Sequence, residues 1–362
     1  EMETPTAMAS YKPKAVLLTG GAGFIASNVC IHLVQKHPDI LFVVYDKIDY
    51  CSNIKNLSPV FRMKNFEFVK GDILSADLVN FAISKFRIDT IYHFAAQTHV
   101  DNSFGNSLTF TSNNVLGTHT LLECWRSNKE QVKRFIHVST DEVYGENKVS
   151  TNIRKMDQKD GASAFEESKS MLLPTNPYAA SKAAAELMVT AYMHSFQLPA
   201  IITRGNNVYG PRQYPEKLVP KFLFRMEKGM KLCVHGKGTP RRSYLYVDDA
   251  VKAFELILFQ GEVGEVYNVG TKEEISVLEV TKAIIKAYGR DKEEDKWIEY
   301  VADRTFNDQR YFISTAKLDR LGWKPEIKFD EGLKKTIKWY RDNPAHWEPE
   351  ALIGALVPHP RR

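Results

Sequence analysis

Thr140, Asp141 and Glu142 follow a strand-like run, Phe135–Ser139. They set one hydroxyl and two adjacent carboxyls where a parallel sheet binds its ligands, at the carboxyl end of a strand. Neighbouring carboxyls can hold different protonation states, one serving as acid and the other as base. An Asp-Glu pair on its own is more often part of a solvated loop; its place after a strand makes it a candidate. Tyr178 and Lys182 form a second pair, one helical turn apart and on one face. An ammonium so placed can lower the phenol pKa and make the phenolate a usable base. The bare Tyr-x-x-x-Lys pattern occurs three times, but Tyr144/Lys148 spans Gly145 in a polar stretch and Tyr288/Lys292 spans Gly289 at a helix end. Only Tyr178/Lys182 lies inside a good helical pattern, opened by Pro177.

A further constellation stands near the N-terminus. Thr19-Gly20-Gly21-Ala22-Gly23-Phe24-Ile25-Ala26 follows one strand-like run and opens a helical one. Gly20 suits a tight turn, and Gly23 lets the amides of a helix start approach a pyrophosphate. Ala26 replaces a third glycine, conservatively. Asp46 ends the next strand, where a carboxylate can accept from both ribose hydroxyls and favours NAD over NADP. Lys47, beside it, could tolerate a phosphate. Gly71-Asp72-Ile73 is a plausible wall for an adenine.

The elements that must position these groups alternate. Strands are expected at Ala15–Thr19, Ile40–Tyr45, Phe66–Val69, Thr90–Phe94, Phe135–Ser139 and Pro199–Thr203. Helices are expected at Phe24–Lys36, Ala76–Phe86, Ser107–Arg126 and Pro177–Phe196, then near Asp248–Phe259, Val277–Tyr288 and Asp330–Asp342. This reads as an α/β chain with a Rossmann-type doubly wound parallel sheet and a smaller α/β substrate-binding portion. The expected division is 14–205 for the dinucleotide-binding, catalytic part, 206–345 for an interleaved substrate part, and 346–362 for a tail. Lys148 to Ser170 reads as a surface loop.

Composition narrows the function class. The chain has 362 residues, 43% hydrophobic and 26% charged, an ordinary globular balance. No apolar run approaches the roughly 18 residues of a membrane span. The net charge of 49 − 44 = +5 is small and dispersed, which argues against nucleic acid as a partner. Four scattered cysteines show neither metal spacing nor a paired pattern, so no metal is assigned and free thiols in a reducing, cytoplasmic setting are expected. Glu1 to Ser10 lacks a signal pattern.

Taken together, Gly20–Ala26, His93-Phe94-Ala95-Ala96-Gln97-Thr98-His99-Val100-Asp101, Thr140-Asp141-Glu142 and Tyr178-x-x-x-Lys182 resemble the nucleotide-sugar 4,6-dehydratases, members of the extended short-chain dehydrogenase/reductase group. The similarity continues through Asn206–Pro211, Tyr214–Lys217, Arg242–Tyr246, Tyr267–Gly270 and Arg304–Arg310. It is greatest to the UDP-glucose 4,6-dehydratase domain of plant-type UDP-rhamnose synthases, through His99–Ser107 and Leu356–Pro360. Where bacterial dTDP-sugar relatives carry a histidine this chain has Asn307, which weakens the dTDP-glucose reading.

The resemblance implies that Tyr178, helped by Lys182 and Thr140, takes the C4 hydroxyl proton as hydride moves to NAD. Glu142 then removes the C5 proton, Asp141 protonates the departing C6 hydroxyl, and the hydride returns to C6. It implies cofactor contacts from Gly20, Gly23, Phe24, Ile25, Asp46, Lys47, Asp49, Asp72, Ile73, Ala95, Ala96, Gln97 and Asn113, besides Tyr178 and Lys182. Substrate contacts are implied for Thr98, Thr140, Asn207, Lys217, Leu218, Arg242, Asn268, Arg304, Asn307 and Arg310, the cations serving the diphosphate. His93, His99 and Phe222–Phe224 have no stronger claim than packing. A homodimer through the helices near Ser107–Arg126 and Tyr178–Phe196, and a separate downstream epimerase/reductase, are implied as partners. A UDP-sugar 4-epimerase or decarboxylase shares the tyrosine, lysine and NAD turn, but C4 epimerisation needs no acid pair for C5 and C6. An idle NAD-binding scaffold would be expected to have lost one of these groups, and none is lost.

Overall fold

Ala15–Thr19 (β1) is apolar at four of five positions, and all five side chains are buried. A strand apolar on both faces has to be covered on both, the condition of a parallel sheet inside an α/β layer structure. The computed structural model describes residues 11–146, 164–303 and 308–358 and meets that condition. After β1 come α1 (Phe24–Lys36), β2 (Leu41–Asp46), β3 (Phe66–Lys70), α2 (Ala76–Lys85) and β4 (Thr90–His93). Short helices α3 (Val100–Gly105) and α4 (Ser107–Phe110) lead to α5 (Gly117–Ser127), β5 (Arg134–Thr140), α6 (Pro177–Phe196), β6 (Ala200–Gly205) and β7 (Asn207–Tyr209). The remainder holds α7 (Leu218–Glu227), β8 (Leu232–His235), β9 (Arg241–Tyr246), α8 (Val247–Gln260), β10 (Val266–Val269) and β11 (Glu274–Ser276). It ends with α9 (Val277–Ala287), α10 (Glu294–Trp297), β12 (Ile298–Val301), α11 (Ala316–Arg320), α12 (Phe329–Asp342) and α13 (Pro349–Ala355).

Seven strands form one parallel sheet in the order β3-β2-β1-β4-β5-β6-β10. The strand order reverses between β1 and β4, and the crevice at such a switch point is where doubly wound sheets take their ligands. Successive β1 side chains enter opposite layers. Val16 and Leu18 join the cluster that includes α1 and α8, whereas Ala15 and Leu17 join the one that includes α2, α5 and α6. The first of these clusters runs on into the smaller portion, where β11-β9-β7 and the β12-β8 pair pack with α7, α9 and α12. Through α8 and β10 the chain returns to the large sheet: α8 shares the α1 layer and β10 pairs with β6.

The expected strands and helices are present within two residues of their bounds, with one exception. Ser107–Arg126 is not a single α-helix: Thr111–Leu116 is a π turn between α4 and α5. The wider turn buries consecutive residues Asn113 and Asn114, a pattern that apolar periodicity does not carry. Asn114 accepts from the Gln97 amide (2.7 Å) and donates to the Gln97 carbonyl (3.0 Å) and to the Ser181 hydroxyl (2.9 Å). It thereby ties the loop after β4 to α6. The end of the expected surface loop also differs. Residues 148–163 of it lie outside the described part, but Phe165 is buried, stacked on Tyr144 at 5.0 Å and bridged to Ile313.

Candidate active site

β5 ends in a tight 3-10 turn, Asp141–Tyr144, capped by Thr140, whose hydroxyl accepts from the Glu142 amide (3.3 Å). The turn points the Asp141 and Glu142 carboxyls into the crevice. The base of the turn is fixed by a buried chain of contacts. Glu186 on α6 pairs with Arg204 on β6, Arg204 donates to the Tyr144 hydroxyl (2.7 Å), and that hydroxyl donates to Asn268 on β10 (2.9 Å). Tyr144 and its neighbours are thus scaffold for the acid pair.

α6 supplies the other half of the set. Asn176 caps it, accepting from the Ala179 amide (2.8 Å), and Pro177 occupies the first helical position, where a missing N–H costs nothing. Tyr178 and Lys182 face the crevice, and both are buried. Lys182 Nζ donates to the Val138 carbonyl on β5 (2.7 Å), and burial lowers its pKa to about 8, with Glu186 opposing. Tyr178 lies deep in the crevice. Burial pushes its phenol above the ordinary range, the Glu142 charge adds to that, and only the Thr140 hydroxyl pulls clearly the other way.

The carboxyls are held by two asparagines. Asn206 donates to Asp141 Oδ2 (2.6 Å) while its own oxygen accepts from the Thr271 amide (3.1 Å). Asn176 donates to Glu142 Oε2 (3.0 Å). Burial, reinforced by the neighbouring Glu142 charge, raises Asp141 to about 7, against Asn206, Arg242 and Thr140. Burial raises Glu142 as well, with Asn176 as the first opposing group. A carboxyl that stays protonated near neutrality can act as an acid, and a neighbour held ionised by a donor can act as a base.

One cavity of about 440 Å³ joins this set to the glycine turn. At that end Gly20 has φ +69°, and a Cβ there would come within 2.6 Å of Ala95 Cα, so only glycine lets the turn approach the loop after β4. Gly23 precedes α1 with no side-chain cap, leaving the first helical amides, from Phe24 and Ile25 onward, for a ligand. Asp46 lines the same wall and accepts from the Ala22 (2.9 Å) and Ile48 (2.7 Å) amides. Lys47 lies 3.3 Å from Asp49 and 3.6 Å from Asp72 and donates to Asn113 (3.1 Å), so its charge is engaged by two carboxylates. Ile73, Ala95, Ala96 and Gln97 complete this lining, with Gln97 donating to Asp49 (2.6 Å). An uncapped helix start, a glycine-only turn and an acidic residue at the end of β2 fit a dinucleotide. His93, beneath the turn, is held between the Thr19 (2.7 Å) and Thr118 (2.9 Å) hydroxyls, and burial lowers it to about 3, as suits a packing residue.

At the far side, Thr98, Asn207, Lys217, Leu218 and Arg242 line the cavity. Lys217 donates to the Thr98 carbonyl (2.7 Å), and Arg242 donates to the Asp308 carbonyl (2.8 Å) and lies over the Tyr311 ring at 4.8 Å. Among the described residues no group of three or more His, Cys, Asp or Glu is placed to hold a metal.

The match to known proteins is direct. The model of the GDP-mannose 4,6-dehydratase family covers residues 17–336. The chain belongs to that family. It is 54% identical over 354 residues to a trifunctional UDP-glucose 4,6-dehydratase/UDP-4-keto-6-deoxy-D-glucose 3,5-epimerase/UDP-4-keto-L-rhamnose-reductase of Arabidopsis thaliana, across 98% of this chain and 51% of the relative. The chain therefore spans about half the length of the plant relatives it matches. It is 46% identical over 350 residues to the dTDP-D-glucose 4,6-dehydratase of Mus musculus, covering 96% of this chain and 94% of that one. Among solved structures, a dTDP-glucose 4,6-dehydratase of Streptomyces venezuelae with NAD bound superposes with a TM-score of 0.84 at 38% identity, covering 92% of this chain and 99% of the other.

Two of the expected substrate contacts, Asn268 and Arg310, do not line the cavity. Asn268 is wholly buried, accepts from Tyr144 and donates to the Phe165 (3.1 Å) and Ser314 (3.0 Å) carbonyls. Arg310 is drawn away from the cavity by Glu274, with which it makes a two-pronged ion pair. A matching motif places a residue in the chain but not its side chain's partner. Arg304 and Asn307 lie outside the described residues. Conversely, Asn176, Asn206, Cys233, His235 and Pro358 line the cavity without having been expected as site residues, although Asn206 and Pro358 stand within the matched motifs. Asn176 had one legible signal, its place just before Pro177 at a helix start.

Proposed function

We propose that this chain is an NAD-dependent nucleotide-sugar 4,6-dehydratase that converts UDP-glucose to UDP-4-keto-6-deoxyglucose with loss of water. The observation that carries the reading is the meeting of Asp141 and Glu142 with Tyr178 and Lys182 in one cavity that continues to a dinucleotide turn. A C4 oxidation needs only the tyrosine and lysine, whereas elimination of the C6 hydroxyl needs two more proton-transfer groups. Bound NAD supplies the hydride acceptor, the later donor, and a positive charge that favours the phenolate of Tyr178.

The chain's own groups then divide the protons. Tyr178 takes the proton of the C4 hydroxyl, with the Thr140 hydroxyl stabilising the phenolate. The C4 ketone acidifies the C5 hydrogen, which Glu142 removes as a proton. Asp141 gives its proton to the C6 hydroxyl, which leaves as water, and Glu142 returns a proton to C5 when C6 is reduced. Lys217 and Arg242 offer the diphosphate its cations. Burial of Asp141, Tyr178 and Lys182 keeps bulk water from the intermediates.

UDP-glucose is preferred because identity to the plant UDP-glucose enzyme, 54%, exceeds that to the mouse dTDP-glucose enzyme, 46%. The product would pass to a 3,5-epimerase/reductase, the activities named beside the dehydratase in the Arabidopsis relative. Four free cysteines suit a reducing, cytoplasmic setting, and no described helix is long and apolar enough to cross a membrane. Leu108 and Leu116, on the α4–α5 segment, and Leu187 on α6 are exposed and favour a homodimer across those helices; a monomeric mass by light scattering would refute it. The substrate test is mass spectrometry of UDP-glucose and dTDP-glucose side by side, following loss of one water. Faster dehydration of UDP-glucose is the expected result; a dTDP-glucose preference overturns the substrate, and interconversion without water loss overturns the roles of Asp141 and Glu142.

A further inference from the structure

Asn176 stands between the two halves of the catalytic set. It caps α6 two residues before Tyr178, and its side chain reaches Glu142 on the turn after β5. Its two side-chain atoms have separate duties: Oδ1 accepts from the Ala179 amide at 2.8 Å, and Nδ2 donates to Glu142 Oε2 at 3.0 Å. Because a backbone N–H can only donate, Ala179 fixes which way the amide points and leaves Nδ2 for the carboxylate. Serine, threonine, aspartate and asparagine all cap helices well. An ionised aspartate, however, has no donor to give, and a serine or threonine hydroxyl is a single atom one bond nearer the backbone. Asparagine alone among them accepts from the helix and donates to the carboxylate through two atoms.

We infer that Asn176 is a positioning residue for Glu142: it sets the carboxylate at a fixed offset from Tyr178 and holds it ready to accept the C5 proton. The inference rests on the proposed dehydratase reading. It follows from geometry, since the same side chain is bonded to the first turn of the helix that carries Tyr178. It follows also from charge, since Nδ2 favours the ionised form of a carboxyl that burial would otherwise protonate. The other groups facing Glu142 are Asp141 on its own turn, Tyr178 on α6, Lys217 just before α7, Arg242 on β9, and Asp308 and Tyr311 from the segment after β12. The two cations and Asn176 favour the ionised carboxylate, against burial and Asp308.

The test uses the full chain loaded with NAD, comparing N176S and N176T with the unaltered protein. C4 oxidation is followed by the absorbance of reduced nicotinamide, and C5 chemistry by deuterium uptake from heavy water. Both variants keep an oxygen at the helix cap, so melting temperature and C4 oxidation should stay near those of the unaltered chain. C5 exchange should fall roughly ten- to a hundredfold, the loss expected for one hydrogen bond to a charged group. Its acidic pH limb should move up by about one unit. If N176S is too unstable to assay, N176T keeps a capping hydroxyl and reads the same step. Exchange at the unaltered rate in either variant, or C4 oxidation and exchange falling together, overturns the inference. An unaltered chain that dehydrates neither sugar nucleotide overturns the proposed function and this inference with it.

Discussion

Replacing Asp141 by asparagine should make the protein more stable at alkaline pH while disabling it. Asp141 is buried, and its pKa rises from 3.8 to about 7, chiefly through burial and then through the Glu142 charge. A folded-state pKa above the unfolded one means that the native state binds more protons between the two values. The stability from Asp141 is therefore fully present below pH 3.8 and is lost as pH rises through 7. At 1.36 kcal/mol per pH unit the full loss is on the order of 4 kcal/mol, of which about 3 develops between pH 5 and pH 8. The side-chain amide introduced by Asp141→Asn has no proton to lose in this range, and it can keep the contacts to Asn206 and Thr140. Urea denaturation of both proteins at pH 5 and pH 8 should show the variant gaining over the native chain by about 3 kcal/mol more at the higher pH. Dehydration should fall about 10²- to 10⁴-fold for want of the acid, while C5 exchange continues. A stability difference that does not change with pH would show that Asp141 is ionised throughout, and would remove it as the proton donor to C6.

Other expectations follow from the same contacts. Glu142→Gln should stop C5 deuterium exchange while leaving NAD binding, read by fluorescence titration, intact; normal exchange would remove Glu142 from the mechanism. Gly20→Ala sets a Cβ 2.6 Å from Ala95 Cα at a φ of +69°, and should cost about 2 kcal/mol or more and weaken NAD binding. An unchanged melting temperature and affinity would contradict the close approach of the two loops. Glu186→Gln leaves Arg204 buried against Tyr144 without its counter-charge and should destabilise by about 3–5 kcal/mol in urea titration. A loss below about 1 kcal/mol would show that this pair does not hold the acid turn in place.

Features that depend on near neighbours along the chain were legible from the residues alone. Alternating apolar runs required a parallel sheet covered on both faces, and β1, Gly20–Ala26 and α1 made the dinucleotide turn legible because all its parts are contiguous. Tyr178 and Lys182 were legible because a four-residue spacing fixes a shared helix face, and the acid pair because it directly follows a strand. What each group meets across the crevice depends on the folded arrangement. It gave Asn176 to Glu142 and Asn206 to Asp141, raised the pKa of Asp141, and set the Lys182 ammonium against the Val138 carbonyl. It drew Asn268 into the core and Arg310 onto Glu274, and it introduced the π turn that buries Asn113 and Asn114. Burial and hydrogen-bond partners are set by residues tens to more than a hundred positions away, and local spacing carries no record of them.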